Sequence, residues 1–189
     1  MRITGGTLTG RTVRCPPGEI RPAMDRMRES MFAILGPIDG LTFLDLFSGS
    51  CSIGLEAVSR GASRAVCVEK DRRKAQIMKQ NAQLAPREIS IVIAPAERFV
   101  ATNRETFDVI FLDPPFPYTF KVDLIERISH SRCTTDTTRL LIHHPKEDPI
   151  PDSVGRFTVT DRRAYGRSIV SFYGAGLGAG CSPTATDLL

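Results

Sequence analysis

Residues 41–54 read LTFLDLFSGSCSIG. The stretch begins with an apolar run typical of a buried strand, continues with small residues, and is followed by a helical pattern at 55–60. A tight turn of small residues between a strand and a helix lets a ligand approach the backbone closely. The helix N-terminus adds free N–H groups and a positive dipole, which suit an anionic or hydroxyl-bearing ligand. The stretch predicts a ligand-binding loop in an α/β fold, although such a loop can also serve chain reversal alone.

The next predicted strand, residues 64–69, ends in a carboxylate. Glu69 lies 20 residues after Gly49, and an acidic residue at this place in a nucleoside-binding sheet accepts hydrogen bonds from ribose hydroxyls. The sequence contains no phosphate-binding loop with its lysine. These features favour a nucleoside ligand that lacks a pyrophosphate.

A second motif, Asp113-Pro114-Pro115-Phe116, follows the apolar run 107–112. Each proline fixes its own φ and lacks an N–H, and a residue before proline is pushed toward extended geometry, so carbonyls project outward here. The Asp113 carboxylate and the Pro114 carbonyl offer two acceptors to an exocyclic amine, and the Phe116 ring offers a stacking surface. The motif predicts a nucleobase-amine site; the alternative is an ordinary proline-rich turn.

Strand and helix patterns alternate through the chain. The predicted strands are 41–46, 64–69, 89–94, 107–113 and 138–144; the predicted helices are 26–35, 52–60, 71–84, 96–102 and 119–129; and 156–163 with 168–173 predict a hairpin. This alternation predicts a Rossmann-like, doubly wound α/β sheet, mostly parallel with a C-terminal antiparallel hairpin.

The composition narrows the class of protein further. The 189 residues are 41% hydrophobic, enough for one sizeable core, and no segment approaches the ~18 apolar residues of a membrane span. We expect a cytoplasmic protein, monomeric by default, with reduced thiols, because the five cysteines are odd in number and lack zinc spacing. We predict structural roles for His130, His143 and His144, and no metal site.

The formal net charge of +4 lies on an N-terminal arm. Residues 1–28 carry six arginines and two acids, whereas the remaining 161 residues hold 19 basic and 19 acidic groups. The pattern at 2–13 predicts a small β-hairpin that lays arginines along RNA; the alternative is a solvated basic extension. Asp25 is a candidate N-cap for the helix that follows.

On these motifs the chain resembles the S-adenosylmethionine-dependent methyltransferases of the doubly wound class, and within them the bacterial 16S rRNA guanine-N2 methyltransferases. The similarity rests on 45–50 with Gly54, on 55–62, on Glu69, on 113–116 and on the segment 21–29. It covers residues 1–173.

The resemblance implies a set of site residues. The cofactor, S-adenosylmethionine, is expected to contact Asp45, Phe47, Gly49, Ser50, Gly54, Glu69, Lys70, Ala96 and Asp113; catalysis is expected from Asp113, Pro114 and Phe116; and RNA is expected to contact Arg2, Arg11, Arg14, Arg21, Arg26, Arg28 and Tyr118. Arg21 and Arg28 could instead reach the cofactor carboxylate. The expected partner is ribosomal RNA, the small ribosomal subunit or an assembly intermediate. The implied organisation is an arm (1–22), a catalytic domain (23–173) and a flexible tail (174–189).

Two residues depart from the family pattern. Cys51 stands where glycine is usual, and Pro95 stands where Asp or Asn often holds the adenine amine, so the backbone of Ala96 would take over that contact. We expect weaker or altered cofactor affinity with activity retained.

Three other functions fit parts of the pattern. An N6-adenine DNA methyltransferase shares the Asp-Pro-Pro-aromatic motif, but the short chain leaves no room for a separate DNA-recognition domain. A catalytically silent RNA-binding protein of the same fold would explain Cys51 and Pro95. A small-molecule methyltransferase would leave the charge of the arm unexplained.

Overall fold

The computed structural model describes residues 1–15 and 22–176, with the side chains of 22–24 left out. The helices within this part are α1 (Pro22–Leu35), α2 (Ser52–Ser59), α3 (Ala75–Ala82), α4 (Ala96–Thr102) and α5 (Lys121–Ser129), and a 3₁₀ turn covers Arg72–Lys74. The strands are β1 (Thr42–Leu46), β2 (Arg64–Glu69), β3 (Ile89–Ile93), β4 (Val109–Leu112), β5 (Arg139–Pro145), β6 (Ser153–Val154), β7 (Phe157–Tyr165) and β8 (Ser168–Ala175).

The described strands form one eight-stranded sheet in the order β3-β2-β1-β4-β5-β8-β7-β6. The first five strands along the chain pair in parallel, and β8, β7 and β6 add antiparallel pairs at one side. The predicted sheet is confirmed. The strand order reverses between β1 and β4, and ligands of such sheets bind in the crevice outside the carboxyl ends of the strands at that point.

Helices cover both faces of the sheet. One face packs Phe43 and Phe111 with apolar residues of α1, α2 and α3, such as Met31 and Met78. The other face packs Leu44, Leu46 and Ile110 with α4 and α5. Successive strand residues therefore point into two separate cores, which explains why the central strands are apolar without alternation.

The predicted N-terminal hairpin forms around a bridge between Arg2 and Thr12. The Ile3 N–H donates to the Arg11 carbonyl at 3.0 Å. This hairpin, residues 1–15, is called the arm below. Of the predicted RNA-binding arginines, the arm carries Arg2, Arg11 and Arg14.

Two buried polar side chains fasten the arm to the domain. The Glu56 carboxylate accepts from the Thr4 N–H at 2.9 Å and the Thr4 hydroxyl at 2.7 Å. Asn81 accepts from the Arg14 N–H at 2.9 Å and donates to the carbonyls of Arg14 and Ser50, each at 2.8 Å. The arm is thus bonded to α2 through Glu56 and to α3 through Asn81, which also bonds the loop that precedes α2.

Several predicted boundaries are corrected. α1 begins at Pro22, so Asp25 lies in the first turn and is not the N-cap; proline suits a first helical position because that N–H has no helical partner. The predicted helix 71–84 starts as a 3₁₀ turn. β8 continues to Ala175, two residues past the predicted domain end, and residues 177–189 of the predicted flexible tail lie outside the described part. None of the described helices is long and apolar enough to cross a bilayer.

Candidate active site

The loop at residues 47–51 joins β1 to α2 and is called the glycine loop below. Its backbone has positive φ at Phe47 (63°), Gly49 (59°) and Cys51 (66°). A left-handed backbone suits glycine but costs roughly 1–2 kcal/mol at other residues. Glycine would adopt the conformation seen at Cys51 without strain, and the cysteine adopts it at an energetic cost.

Asp45 lies buried beneath this loop near the end of β1. Its Oδ2 accepts from the Ser48 hydroxyl at 2.6 Å and from the Gly54 N–H at 3.2 Å. Its Oδ1 is buried and has no hydrogen-bond partner among the described residues. Burial, with smaller contributions from Asp113 and Glu69, raises the pKa of Asp45 to about 7. A donor brought by a ligand would satisfy this carboxylate.

Glu69 ends β2 beside the glycine loop. Its carboxylate accepts from the Gly49 N–H at 3.0 Å and from the Asp71 N–H at 2.9 Å, and it lies 3.6 Å from the Lys74 ammonium. Lys70, the next residue, is exposed. Glu69 therefore fixes the shape of the glycine loop from the end of β2.

Gly54 and Ala96 lie at the starts of two helices that face this edge of the sheet. A Cβ added at Gly54 would lie 2.5 Å from the Cys67 Sγ, so a side chain at this position would displace the buried thiol. Ala96 opens α4 directly after Pro95, which is the N-cap residue and supplies no side-chain hydrogen bond. Any polar contact from this turn must therefore come from the backbone.

The loop at residues 113–118 follows β4 and is called the proline loop below. The Asp113 N–H donates to the Leu46 carbonyl at 3.3 Å, so this loop starts beside the end of β1. Pro114 is buried, and Phe116 is 42% exposed. The structure thus brings the acidic ends of β1 and β4 together at the reversal of strand order.

Lys121 supports the proline loop by donating hydrogen bonds to its carbonyls. Its side chain is 3% exposed, and its ammonium donates to the carbonyls of Phe116 (3.3 Å) and Tyr118 and to Asp148 Oδ2 at 2.5 Å. A buried ammonium requires such partners because its desolvation is costly. The sequence contained no signal for this contact, since Lys121 reads as an ordinary helix residue.

Aromatic contacts connect the two loops. The Phe47 and Tyr118 rings meet edge-on with centroids 5.2 Å apart, and Phe120 contacts Tyr118 at 5.9 Å. The Tyr118 hydroxyl donates to Glu97 at 2.5 Å. Burial and this carboxylate raise the pKa of Tyr118, so the hydroxyl stays protonated. Tyr118 therefore packs against the glycine loop, with part of its ring exposed.

His143 is a site residue that the sequence reasoning assigned to a structural role. Its Nδ1 lies 2.8 Å from Asp113 Oδ1, and its ring contacts Phe116 edge-on at 5.7 Å. Leu112 of β4 is in register with Ile142 of β5. The residues that follow them, Asp113 and His143, therefore lie opposite each other. The parallel pairing of 107–113 with 138–144 was the signal that could have revealed this contact.

The other two histidines lie outside the site. His144 is buried, bonds Ser171 Oγ at 2.9 Å and lies within 3.1 Å of the Asp148 carbonyl, which is the structural role predicted for it. His130 is exposed and pairs with Glu126 on α5. In the described part of the chain, no three His, Cys, Asp or Glu residues cluster in a way that could hold a metal ion.

The predicted RNA-binding arginines divide into two groups. The exposed ones are Arg2, Arg11, Arg14 and Arg26. Arg28 is 2% exposed and forms ion pairs with Glu56 and Asp25, both at 3.1 Å, so neither RNA nor a cofactor reaches it. The predicted contact of Arg28 is corrected to a structural role, and Arg21 lies outside the described residues.

Comparisons with known proteins identify the family of this chain. The family model described as Conserved hypothetical protein 95 matches residues 1–174. The Escherichia coli protein named ribosomal RNA small subunit methyltransferase D is 30% identical over 177 residues, which cover 92% of this chain and 89% of that protein. The chain belongs to this methyltransferase D family.

Two other proteins are similar to this chain over most of its length. A Bacillus subtilis protein, YlbH, whose name assigns it provisionally to the rRNA methyltransferases, is 33% identical over 180 residues, covering 92% of this chain and 98% of that protein. A solved structure of the E. coli protein yhhF, provisionally described as a methyltransferase, has a TM-score of 0.83 at 29% identity and covers 93% of this chain and 97% of that one.

Proposed function

We propose that this protein transfers a methyl group from S-adenosylmethionine to the exocyclic N2 amine of a guanine in small-subunit ribosomal RNA. The observation that carries the proposal is the position of Asp113, beside the end of β1 and next to the glycine loop. Membership of the methyltransferase D family supports it.

The residues of the glycine loop fit the proposed cofactor. Asp45 Oδ1 is a buried acceptor without a partner among the described residues, which suits the ammonium of the cofactor's amino-acid part. The residues proposed to hold the cofactor are Asp45, Phe47, Gly49, Ser50, Gly54, Glu69, Lys70, Ala96 and Asp113. When bound, S-adenosylmethionine supplies an electrophilic methyl group on its sulfonium sulfur.

The proline loop would orient the guanine amine. That amine is a poor nucleophile because its lone pair is delocalised into the ring. Asp113 and the Pro114 carbonyl, by accepting its two protons, would favour a pyramidal nitrogen whose lone pair points toward the glycine loop. Asp113 would take the proton released when the N–C bond forms and pass it to water.

Phe116 would stack on the target base. Its ring is 42% exposed at the mouth of the site, and a base must leave its RNA stack to lie against it. Tyr118, which is half-buried against Phe47, would contact the base at the opposite side.

The exposed arginines of the arm would bind RNA phosphates. Arg2, Arg11 and Arg14 are exposed on a hairpin that Glu56 and Asn81 hold in place. Binding through such contacts weakens steeply as salt concentration rises. We propose the small subunit or an assembly intermediate as the partner, with the enzyme acting as a monomer in the cytoplasm.

Methyl transfer to defined substrates tests this proposal. Small ribosomal subunits from a strain that lacks the endogenous enzyme, naked 16S rRNA and double-stranded DNA would each be incubated with radiolabelled S-adenosylmethionine, and the products digested to nucleosides. We expect N2-methylguanosine from the ribosomal substrate, and a loss of at least about 100-fold with Asp113→Ala.

A matched variant controls for damage to the fold. Asp136→Ala removes an exposed carboxylate just before the amino end of β5, whereas the site lies at the carboxyl ends of the parallel strands. This variant should leave the rate unchanged. Labelled N6-methyladenine in DNA would show that the protein is instead an N6-adenine DNA methyltransferase. If the protein binds the cofactor without transferring a methyl group, or does not bind it, then it is a catalytically silent protein of the same fold.

A further inference from the structure

His143 contacts the carboxylate that the proposed reaction depends on. The His143 Nδ1 to Asp113 Oδ1 distance is 2.8 Å, which is a full hydrogen bond. The bond leaves Asp113 Oδ2 without a hydrogen bond from the described residues and therefore available to a substrate amine. Asp113 is 27% exposed at its side chain, so without His143 its carboxylate would be free to rotate in water.

The far nitrogen of the ring shows which tautomer is present. His143 Nε2 is buried and has no hydrogen-bond partner among the described residues. A neutral ring with its proton on Nδ1 leaves only a lone pair unpaired at Nε2, whereas a proton on Nε2 would bury an unsatisfied N–H donor. Of the two neutral tautomers, the environment therefore favours the one that donates from Nδ1 to Asp113.

The surroundings of His143 keep its ring in one orientation. The residue is 8% exposed, it lies on β5 next to β4, and the Phe116 ring packs edge-on against it with a 65° angle between the planes. His143 thus contacts both the acceptor and the stacking ring that the proline loop presents. A side chain held by packing can pass its orientation to the group it bonds.

We propose that His143 is the positioning residue of the active site, donating a hydrogen bond that fixes the Asp113 carboxylate so that Oδ2 faces the guanine amine. This inference rests on the proposed function. His143 itself neither touches the base nor takes the proton from it. The role differs from that of a proton acceptor, because a buried, unpartnered Nε2 offers no path for a second proton to leave.

Two variants separate donation from mere packing. Asn places its amide NH₂ near the position of the imidazole Nδ1 and keeps the donor, whereas Leu keeps the bulk and removes it. We expect His143→Leu to lower kcat on small subunits by about 10- to 100-fold with KM changed less than about 2-fold, since misplacement of a reacting group can cost ~100-fold. His143→Asn should retain most of the rate.

A measurement on the free protein is independent of the reaction. Long-range ¹H–¹⁵N correlation of the His143 ring should show the proton on Nδ1 at neutral pH, and Asp113→Ala should abolish that preference. A proton on Nε2, or a tautomer unaffected by Asp113→Ala, would overturn the proposal even if guanine methylation is found. If the expected tautomer is seen but no RNA is methylated, the proposed function has failed and the contact stands.

The kinetics of the two variants also test whether His143 acts as a hydrogen-bond donor. Equal loss in His143→Asn and His143→Leu, with both variants folded by circular dichroism, would contradict a donor role. Wild-type kcat in His143→Leu would do the same. Recovery of rate in His143→Asn alone supports the positioning role.

Discussion

The two loops at the edge of the sheet obtain their shapes in different ways. The glycine loop turns through positive φ at Phe47, Gly49 and Cys51, and Glu69 accepts a hydrogen bond from the Gly49 N–H. The proline loop is held by side chains from elsewhere, since His143 on β5 bonds its first residue and Lys121 on α5 bonds its last carbonyls. The glycine loop thus needs residues that adopt a positive φ, whereas the proline loop needs hydrogen bonds from two side chains outside it.

The largest effect expected on the glycine-loop side is a pH-dependent stability caused by Asp45. Its pKa is about 7 in the folded protein against 3.8 as the ordinary value, so the folded state holds a proton that the unfolded state has lost between those pH values. The free energy of unfolding should therefore fall as pH rises from about 4 to about 7, by on the order of a few kcal/mol, and level off above.

Urea unfolding of the wild type and of Asp45→Asn at several pH values measures this. The difference between the two proteins should change across that window, because Asn removes the titration and keeps the shape. Parallel pH profiles would show that Asp45 stays ionised in the folded protein.

A smaller effect is expected at the proline loop from Lys121→Met. The substitution keeps the buried stem and removes the donor for the carbonyls of Phe116 and Tyr118. Stability should fall by about 1–3 kcal/mol, and methyl transfer should fall while the calorimetric Kd for S-adenosylmethionine changes little. Arg127→Met, at an exposed ion pair on the same helix, is the control and should be near neutral.

If Lys121→Met weakened cofactor binding as much as transfer, the two loops would not be independent. That result would remove the distinction between a loop that depends on its backbone conformation and one that depends on side-chain hydrogen bonds.

The backbone of the glycine loop gives a third test. Cys51→Ala keeps a Cβ at this position, where φ is 66°, and Cys51→Gly removes it. We expect the glycine variant to be more stable than the alanine variant by about 1 kcal/mol, which reverses the usual order. Ala57→Gly within α2 provides the comparison at a right-handed position, where glycine should destabilise by about 1 kcal/mol. Unfolding midpoints with unchanged m-values give these differences.

The smallest effect is expected at Pro95, which caps α4 without a side-chain hydrogen bond. Pro95→Asn adds a side chain that can bond the adenine amine, so the calorimetric Kd for S-adenosylmethionine should tighten by a few-fold, corresponding to about 1 kcal/mol. Pro95→Ala adds no such group and should leave the Kd unchanged. An identical Kd in all three proteins would show that the backbone at Ala96 already satisfies adenine.

Local patterns predicted the fold and the end of the sheet at which the candidate site lies. The apolar runs ending in Asp45, Glu69 and Asp113 identified the strands and the edge at which their carboxylates meet, because parallel strands align their carboxyl ends. His143 was missed because its partner is chosen by the pairing of β4 with β5, which periodicity does not report. Arg28 was misassigned because a charge count does not distinguish an exposed cation from one buried against Glu56.

The Glu56 carboxylate sets a limit on how the protein can be divided. It is fully buried and takes hydrogen bonds or ion pairs from Thr4 in the arm, Arg28 in α1 and Arg60 beside α2. Removing the arm would strip this carboxylate of two donors and open it to water. The smallest transferable unit of this enzyme therefore includes its first residues, and an arm grafted from a relative would need to bring its own counterpart of Thr4.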